Sequence, residues 1–495
     1  MLRTEPNVDL TRYVSNLDQN VYTIYNLPEE VIAVIFAYVS RSPAGFRENL
    51  AKLLADDELA VNEQSGGMAT AYSEKASRFH EKWVVGYGHS SVAEHAVAHI
   101  GIEKISRLAS AELELANSFN SFTEYSQRYQ RPRRGEFYIP AGLDRQPEMK
   151  AKYLTLHEKA YDVYEQLMSG LKKFLLKSLS QTEHESDRAF QLRVEKIAFE
   201  DARYVLTLST LTNLGMTGNG RALRDTLVQL LSSRYEECHR LAREMEREIS
   251  RVIPTLLKYV KPNDYLIQTR EHLQLRWDSV QATPYPVTGP RARFTRMPGY
   301  REALEMLTAR LLLSQCSLSY EKAEEASRHL SLAEHEQIAD LALSRLRFFD
   351  NPTDELQHLT YQMEMKISEA NWHQLLRHNR RTHFSYGQPT TRLGYTIPPH
   401  VKEAGLTELF QTFMSEAEQI YQEMEAWNPL LAPYCITNAH HRQVTATASL
   451  WELYHLINLR TSPEAQWDIR ETFEQLYREL KENHPVLAKY AQRRL

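Results

Sequence analysis

Hydrophobic residues recur along most of this chain three and four positions apart, and the pattern changes to alternation in only a few short runs. The longest apolar stretch, Val31 to Val39, follows Asn26, Pro28, Glu29 and Glu30, residues that begin helices. It predicts a buried helix, too short to span a bilayer. Two alternating runs pass directly into helical ones. His95 to Ile105 leads into Ser106 to Asn117, and His358 to Ile367 leads into Ser368 to His378, so each predicts a strand followed at once by a helix. A further short strand signal, Glu136 to Pro140, has a counterpart in Gly394 to Pro398, and both halves finish in long helices. The shared order of elements, at low identity, predicts an old internal duplication.

Between the repeats, an irregular stretch from about Lys261 to Gly299 carries Pro262, Pro284, Pro286, Pro290 and Pro298. Proline fixes φ and removes a backbone donor, so this stretch predicts the inter-domain connection, with room for a strand near Ser279 to Thr283. The expected division is a first domain over 1–265, a connecting segment over 266–298 and a second domain over 299–495. A length of 495 residues suits two such cores. The predicted class is α+β, each domain a small sheet packed with long helices.

Charge narrows the function. With 59 Lys and Arg against 64 Asp and Glu, the net charge of -5 offers no broad basic surface for nucleic acid, though a few arginines suffice for a small anion. Cys238, Cys316 and Cys435 stand far apart, so neither a disulfide framework nor a metal site is predicted, and a reducing cytoplasm is the expected location. The N-terminus lacks the basic, apolar and cleavage-site series of a secretion signal, and no membrane span is predicted.

Several polar segments stand out against this background. In Ser121 to Tyr129, the residues Glu124, Ser126 and Arg128 are spaced by two, so an extended or looped backbone points all three the same way. A hydroxyl beside a guanidinium fork makes a phosphate clamp, and the same spacing fits an ordinary polar strand or loop. Gln374 to Arg381 closes a predicted helix, where positive charge is favoured by the dipole with or without a ligand. Leu450, Leu453, Tyr454 and Ile457 form an apolar face that Arg460 continues, so its guanidinium needs either a buried acid or a ligand. Ser462 and Pro463 then start another helix. His89 to His95 reads as a polar turn with a capping histidine. Asn219 to Leu223 opens a helix, as a plain start or as an N-terminus able to hold a pyrophosphate. Phosphate-loop, dinucleotide-glycine, nucleophile-elbow and zinc-protease motifs are absent, and no cysteine lies in a motif, so any chemistry is expected to come from a cofactor.

Taken together, these segments resemble the flavin-dependent thymidylate synthases, whose signature is R-H-R-x-x-S-x-N-E-x-S-x-R. Its end matches Ser121, Glu124, Ser126 and Arg128, with Thr123 in place of Asn, while its opening falls on Ala116, Asn117 and Ser118. In the second half its opening matches Arg377 and His378, with Asn379 in place of the second Arg and Thr382 in place of the first Ser. The rest is lost on Phe384, Ser385, Gly387 and Pro389. Outside the signature the losses are again complementary. The family's Gln before R-H-R matches Gln374, and its late arginine matches Arg460, where the first half has Leu230. The family's A-R-x-x-L arginine resembles Arg203, where the second half has Pro433, and its N-x-R-x-L resembles Asn219 to Leu223, where the second half has Ser449 to Trp451.

The resemblance implies two tandem thymidylate synthase-complementing-type domains that share one composite site. It implies reductive methylation of dUMP to dTMP, with methylenetetrahydrofolate as carbon donor and FAD and NADPH as hydride source. Ser126, Arg128, Arg203, Gln374, Arg377 and Glu124 would bind substrate, and Arg460 would face the pyrimidine as the catalytic charge. His89, Ser91, Asn219, Gly220, Arg221, Arg377, His378 and Asn379 would contact the cofactor, Asn379 and Thr123 being the departures that bear on it. A homodimer would reproduce the family's tetramer. The alternatives are another pyrimidine C5-modifying flavoenzyme and a non-catalytic nucleotide-binding paralogue.

Overall fold

The computed structural model describes residues 9–39, 45–54, 91–277 and 291–494. They form two compact units that interleave along the chain. The first takes the described residues of Met1–Ile105, Ala109–Tyr125 and Thr212–Gln281, and the second those of Ser106–Leu108, Ser126–Leu211 and Ala282–Leu495. Among the described residues no helix is long and apolar enough to cross a membrane.

The first unit is built on strands β1 (Val97–Ser106), β2 (Ser121–Glu124) and β3 (Leu211–Asn219), in the order β1-β3-β2. β2 runs antiparallel to β3, with Ser121 opposite Thr217 and Glu124 opposite Leu214. The apolar stretch after Pro28 forms the helix Glu29–Val39, as its start signals predict, and Val31, Val34 and Ile35 pack with Val14, Leu27 and Leu50 in a small core. Its two acidic residues are used. Glu29 accepts from the Val97 amide at 2.9 Å, and Glu30 from the Thr255 amide at 2.8 Å.

In the second unit, β4 (Ala292–Arg296), β5 (Thr360–Ser368), β6 (Thr382–Tyr386) and β7 (His441–Ser449) form an antiparallel sheet in the order β4-β5-β7-β6. Tyr361, Met363, Met365 and Ile367 of β5 are buried, as period-two alternation requires. The long helices Pro147–Ser178 and Thr407–Trp427 lie against each other, tied by Lys152–Glu423 at 2.9 Å and Lys159–Glu416 at 2.5 Å.

The duplication is visible in the backbone. Each repeat runs strand, helix, strand, two helices, strand, helix, and the sheet orders β1-β3-β2 and β5-β7-β6 correspond. Thr207 pairs with Thr437, while the Leu208 amide donates to Ile436 and the Asn438 amide to Leu206, both at 2.8 Å. Such reciprocal bonds are those of a local two-fold, which makes Arg203 equivalent to Pro433, Asn219 to Ser449 and Leu230 to Arg460. Along the strands, Ser121 faces Thr217 and His383 faces Thr447, so Ser121 corresponds to His383, one residue from the Thr382 of the signature alignment.

Two expectations need correction. The signals at Glu136 to Pro140 and Gly394 to Pro398 are equivalent but form only single bridges, Phe137 with Thr210 and Tyr395 with His440. Pro140 and Pro398 cannot donate to a longer ladder. The stretch Lys261 to Gly299 is not irregular throughout, since it contains the helix Asp264–Trp277 and β4. That helix escaped notice because it has no buried face: Tyr265, Leu273, Leu275 and Trp277 are all exposed, so no apolar stripe marks it. The strand expected near Ser279 to Thr283 lies outside the described residues.

Candidate substrate site and family membership

The second unit gathers most of the predicted substrate residues. Ser126 begins a tight turn in which its carbonyl accepts from the Tyr129 and Gln130 amides, and its hydroxyl accepts from the Arg128 amide at 3.3 Å. This turn carries the Arg128 guanidinium onto Glu200, with contacts of 2.8 Å through Nε and 2.6 Å through Nη2. Arg128 Nη2 also donates to the Glu464 carbonyl at 2.9 Å, so a first-repeat arginine touches the segment that follows Arg460 in the second repeat.

Arg203 sits in the short turn after the helix Asp187–Ala202 and is only 5% exposed. Its Nε donates to the Glu200 carbonyl at 3.3 Å, while Nη2 is buried with no hydrogen-bond partner among the described residues. Burial holds its pKa below the ordinary value, and the nearby Arg128 and Arg107 guanidiniums push the same way against Tyr204 and Glu200.

From the second repeat, the helix Glu369–Leu375 and the turn that follows it supply Gln374, Arg377, His378 and Asn379. Arg460, at the last turn of Leu450–Arg460, donates through Nη2 to the Gln374 carbonyl at 2.8 Å and to His378 Nε2 at 2.7 Å. A guanidinium only donates, so His378 accepts at Nε2 and carries its proton on Nδ1, which faces Glu452 at 3.8 Å. Burial, then Arg460, His455 and Arg377, keep His378 neutral by driving its pKa well below the usual imidazole value. Arg460 has no ion pair among the described residues, and burial, with Arg377 and Arg128 close by, brings it down to about 10. The alternative of a buried acidic partner for Arg460 is therefore not realised.

Gln374 donates to Ala370 at 3.0 Å and to Gln466 at 3.3 Å, and its Oε1 is buried without a partner among the described residues. Gln466 in turn donates to the Tyr204 hydroxyl at 3.2 Å, which donates to Asp468 at 2.7 Å. Tyr204 stacks on Trp467, whose indole donates to Asp201 at 2.7 Å. The two motif segments, Ala202 to Leu206 and Ala465 to Ile469, are thus knitted by side chains of both repeats.

Sequence reasoning missed several members of this cluster. Buried His373 lies within the field of Arg107, Arg442, Arg377 and Arg203, and burial above all drives its pKa far down. Arg442 bonds Glu369 at 2.8 Å, as Arg128 bonds Glu200. Glu200 immediately precedes the A-R motif by two residues, a signal that was available once Arg128 needed a partner. Gln127 and Asn438, both buried, join across the repeats at 3.1 Å. Arg128 and Arg442 are each paired with a carboxylate, whereas Arg203 and Arg460 have no ion pair among the described residues, which leaves positive charge open to an anion. His378, Glu452 and His455 also place ligand atoms within 4.8 Å of one another, a spacing open to a metal ion. Arg460 occupies one His378 nitrogen and the fields of Arg377, Arg381 and Arg494 surround the group, conditions that favour an anion over a cation.

The remaining predicted residues belong to the first unit. Glu124 accepts from the Ser110 hydroxyl at 2.6 Å and the Thr212 hydroxyl at 3.2 Å. Asn219 caps the helix Gly220–Leu231 by accepting from the Ala222 amide at 2.9 Å. Gly220 donates to Ala96 at 2.8 Å, and Arg221 binds Glu94 at 2.6 Å, so the helix start meets the turn that holds Ser91. His89 lies outside the described residues.

A family model described as thymidylate synthase complementing protein matches residues 23–255 and 304–486. A UPF0159 protein of Thermoplasma acidophilum is 25% identical over 452 residues, covering 84% of this chain and 88% of that protein. A flavin-dependent thymidylate synthase of Saccharolobus solfataricus is 31% identical over 240 residues, covering 48% of this chain and 73% of that enzyme. A solved flavin-dependent thymidylate synthase from Helicobacter pylori, complexed with FAD and dUMP, aligns at 13% identity with a TM-score of 0.32, covering 41% of this chain and all of that one. One family model matches each half in turn, over most of the length. The chain belongs to the thymidylate synthase complementing protein family, as a tandem duplication of its domain.

Proposed function

We propose that this protein methylates dUMP reductively to dTMP, using methylenetetrahydrofolate, NADPH and FAD, in one composite site per chain. The observation that carries this reading is the convergence, within one unit, of Arg128 and the buried Arg203 from the first repeat with Gln374, Arg377 and Arg460 from the second. Ser126, Arg128, Arg203, Gln374 and Arg377 would hold the phosphate, and Glu124 is the remaining substrate residue that the family motif supplies. Arg460, charged at neutral pH and poorly solvated, would stabilise negative charge developing on the pyrimidine ring. Family membership and the thymidylate synthases among its relatives support the reaction class.

By their match to the family motifs, Ser91, Asn219, Gly220 and Arg221 of the first unit would each contact FAD, with His89 in the same motif as Ser91, and Arg377, His378 and Asn379 of the second unit carry the family's other FAD motif. The residues suit an anionic dinucleotide: Arg221 stands at a helix N-terminus and already holds the Glu94 carboxylate, an oxyanion of the kind a phosphate would present. Bound FAD would supply the hydride. Two chains would together carry the four domains of a family tetramer, which a solution mass measurement tests.

The experiment is direct. Protein reconstituted with FAD and given NADPH, dUMP and methylenetetrahydrofolate should form dTMP, and no dTMP would overturn the proposal. A flavin spectrum without turnover would favour the non-catalytic paralogue. Turnover of a different pyrimidine nucleotide would favour the related C5 modification. Arg128→Ala and Arg377→Ala should each weaken dUMP binding, and if either were silent the repeats would not share a site.

A further inference from the structure

The side chains of Gln127 and Asn438 come from different repeats and are almost wholly buried, 5% and 1% exposed. Their amide orientations are fixed by one backbone atom. The Arg203 carbonyl can only accept, so the Asn438 atom 2.9 Å from it is the amino group Nδ2. The same Nδ2 donates to Gln127 Oε1 at 3.1 Å, which turns the Gln127 amino group the other way. Gln127 Nε2 is thereby a buried donor with no partner among the described residues, as is Nη2 of Arg203. Asn438 Oδ1 is likewise buried without a partner among the described residues. A buried amide donor without an acceptor is costly, and a protein core seldom keeps one unless a ligand completes it.

Gln127 stands between Ser126 and Arg128, and the chain that orients it ends on Arg203. We propose that Gln127 is a further anion-binding residue of this site, donating through Nε2 to a phosphomonoester, and that Asn438 is its positioning residue. This rests on the reading of the site as a nucleotide monophosphate site. Neither residue has an equivalent partner pair in the other repeat, where the two-fold places Leu208 opposite Asn438. The pair therefore serves one site only, on the side where the arginines are kept.

The test compares three ligands by equilibrium titration of the full chain: dUMP, deoxyuridine, which lacks the phosphate, and inorganic phosphate alone. Gln127→Met keeps the length and removes the donor. Asn438→Leu places at this position the side chain found at its equivalent. Both should weaken dUMP and phosphate roughly tenfold or more, the range for a hydrogen bond to a charged group, and leave deoxyuridine unchanged. If Gln127→Met does not fold, Gln127→Glu retains the shape and replaces the donor with a repelling carboxylate, with the same expected split. Equal weakening of dUMP and deoxyuridine would mean a merely structural role and overturn the inference, as would unchanged dUMP binding. Wild-type protein that ignores dUMP but binds phosphate through Gln127 would remove the nucleotide reading and leave this inference standing. Binding of neither would remove both.

Discussion

Arg460→Met is expected to leave the ligand-free protein at least as stable as the wild type while removing its response to dUMP. Burial, followed by the fields of Arg377 and Arg128, lowers the Arg460 pKa to about 10. Relative to an ordinary guanidinium, that depression corresponds to roughly 3 kcal/mol against the charged form. The sign follows from linkage. A cation whose folded pKa lies below its unfolded one is disfavoured by folding, so the penalty is fully present at neutral pH and is relieved only above about pH 10. Methionine removes the charge and fills similar space. It also leaves the Gln374 carbonyl and His378 Nε2 without their donor, at a cost of about 1–2 kcal/mol. The two effects nearly cancel, with the balance toward stabilisation. Thermal unfolding of both proteins, with and without dUMP, reads the outcome. Wild type should gain about 2.7 kcal/mol at a hundredfold excess of ligand over Kd, and the variant much less. A variant that melts several degrees below wild type without ligand, yet gains the full increment with it, would refute this reasoning.

Three further outcomes follow from the same structure. Gly220→Ala should destabilise the first unit by about 1–3 kcal/mol, because a Cβ there would meet Leu256 Cδ1 at 2.7 Å and the Ala93 carbonyl at 3.0 Å, as chemical denaturation can measure. His400 bonds buried Asp201 at 2.7 Å, and that hydrogen bond raises the histidine's pKa. The stability it adds is full below the unfolded histidine value near 6.5 and is lost as pH rises through the folded value, so His400→Gln should flatten the stability–pH curve over that window. Asp468 is fully buried and bonds Arg291 at 2.5 Å, Ser368 at 2.5 Å and Tyr204 at 2.7 Å. Asp468→Ala should cost about 2–4 kcal/mol, since it leaves the half-buried Arg291 guanidinium and the buried Ser368 and Tyr204 hydroxyls without their acceptor, and unfolding by urea would show it.

The repeat and its strand–helix order were legible because each rests on local periodicity, as in Thr360–Ser368 running into Glu369–Leu375. The motif residues were legible because Arg128, Arg203, Gln374 and Arg460 keep family spacings within short segments. What could not be read was pairing over long separations. Nothing around Arg128 announces Glu200 or the Glu464 carbonyl, and nothing around Gln127 announces Asn438. Those contacts depend on the local two-fold at Thr207 and Thr437, which no single segment encodes. The helix Asp264–Trp277 was hidden for the opposite reason. Its apolar residues face outward, so the usual link between periodicity and burial fails there.

The two-fold also explains why the repeats lost different residues. At the position equivalent to Arg460 the first repeat has Leu230, which is 1% exposed, and at the position equivalent to Arg203 the second has Pro433 in a fully buried turn. An apolar side chain in such a place avoids the desolvation that depresses Arg460 and Arg203, so each of these exchanges is favourable to the fold where no anion is bound. The surviving arginines run against that preference. They fall on opposite repeats yet converge on one region, with Arg128 on the Glu464 carbonyl and Arg460 on Gln374. Stability alone would have removed both sets alike. On the proposed reading a bound anion offsets that cost, which is why each repeat keeps its own arginine where the other has lost it.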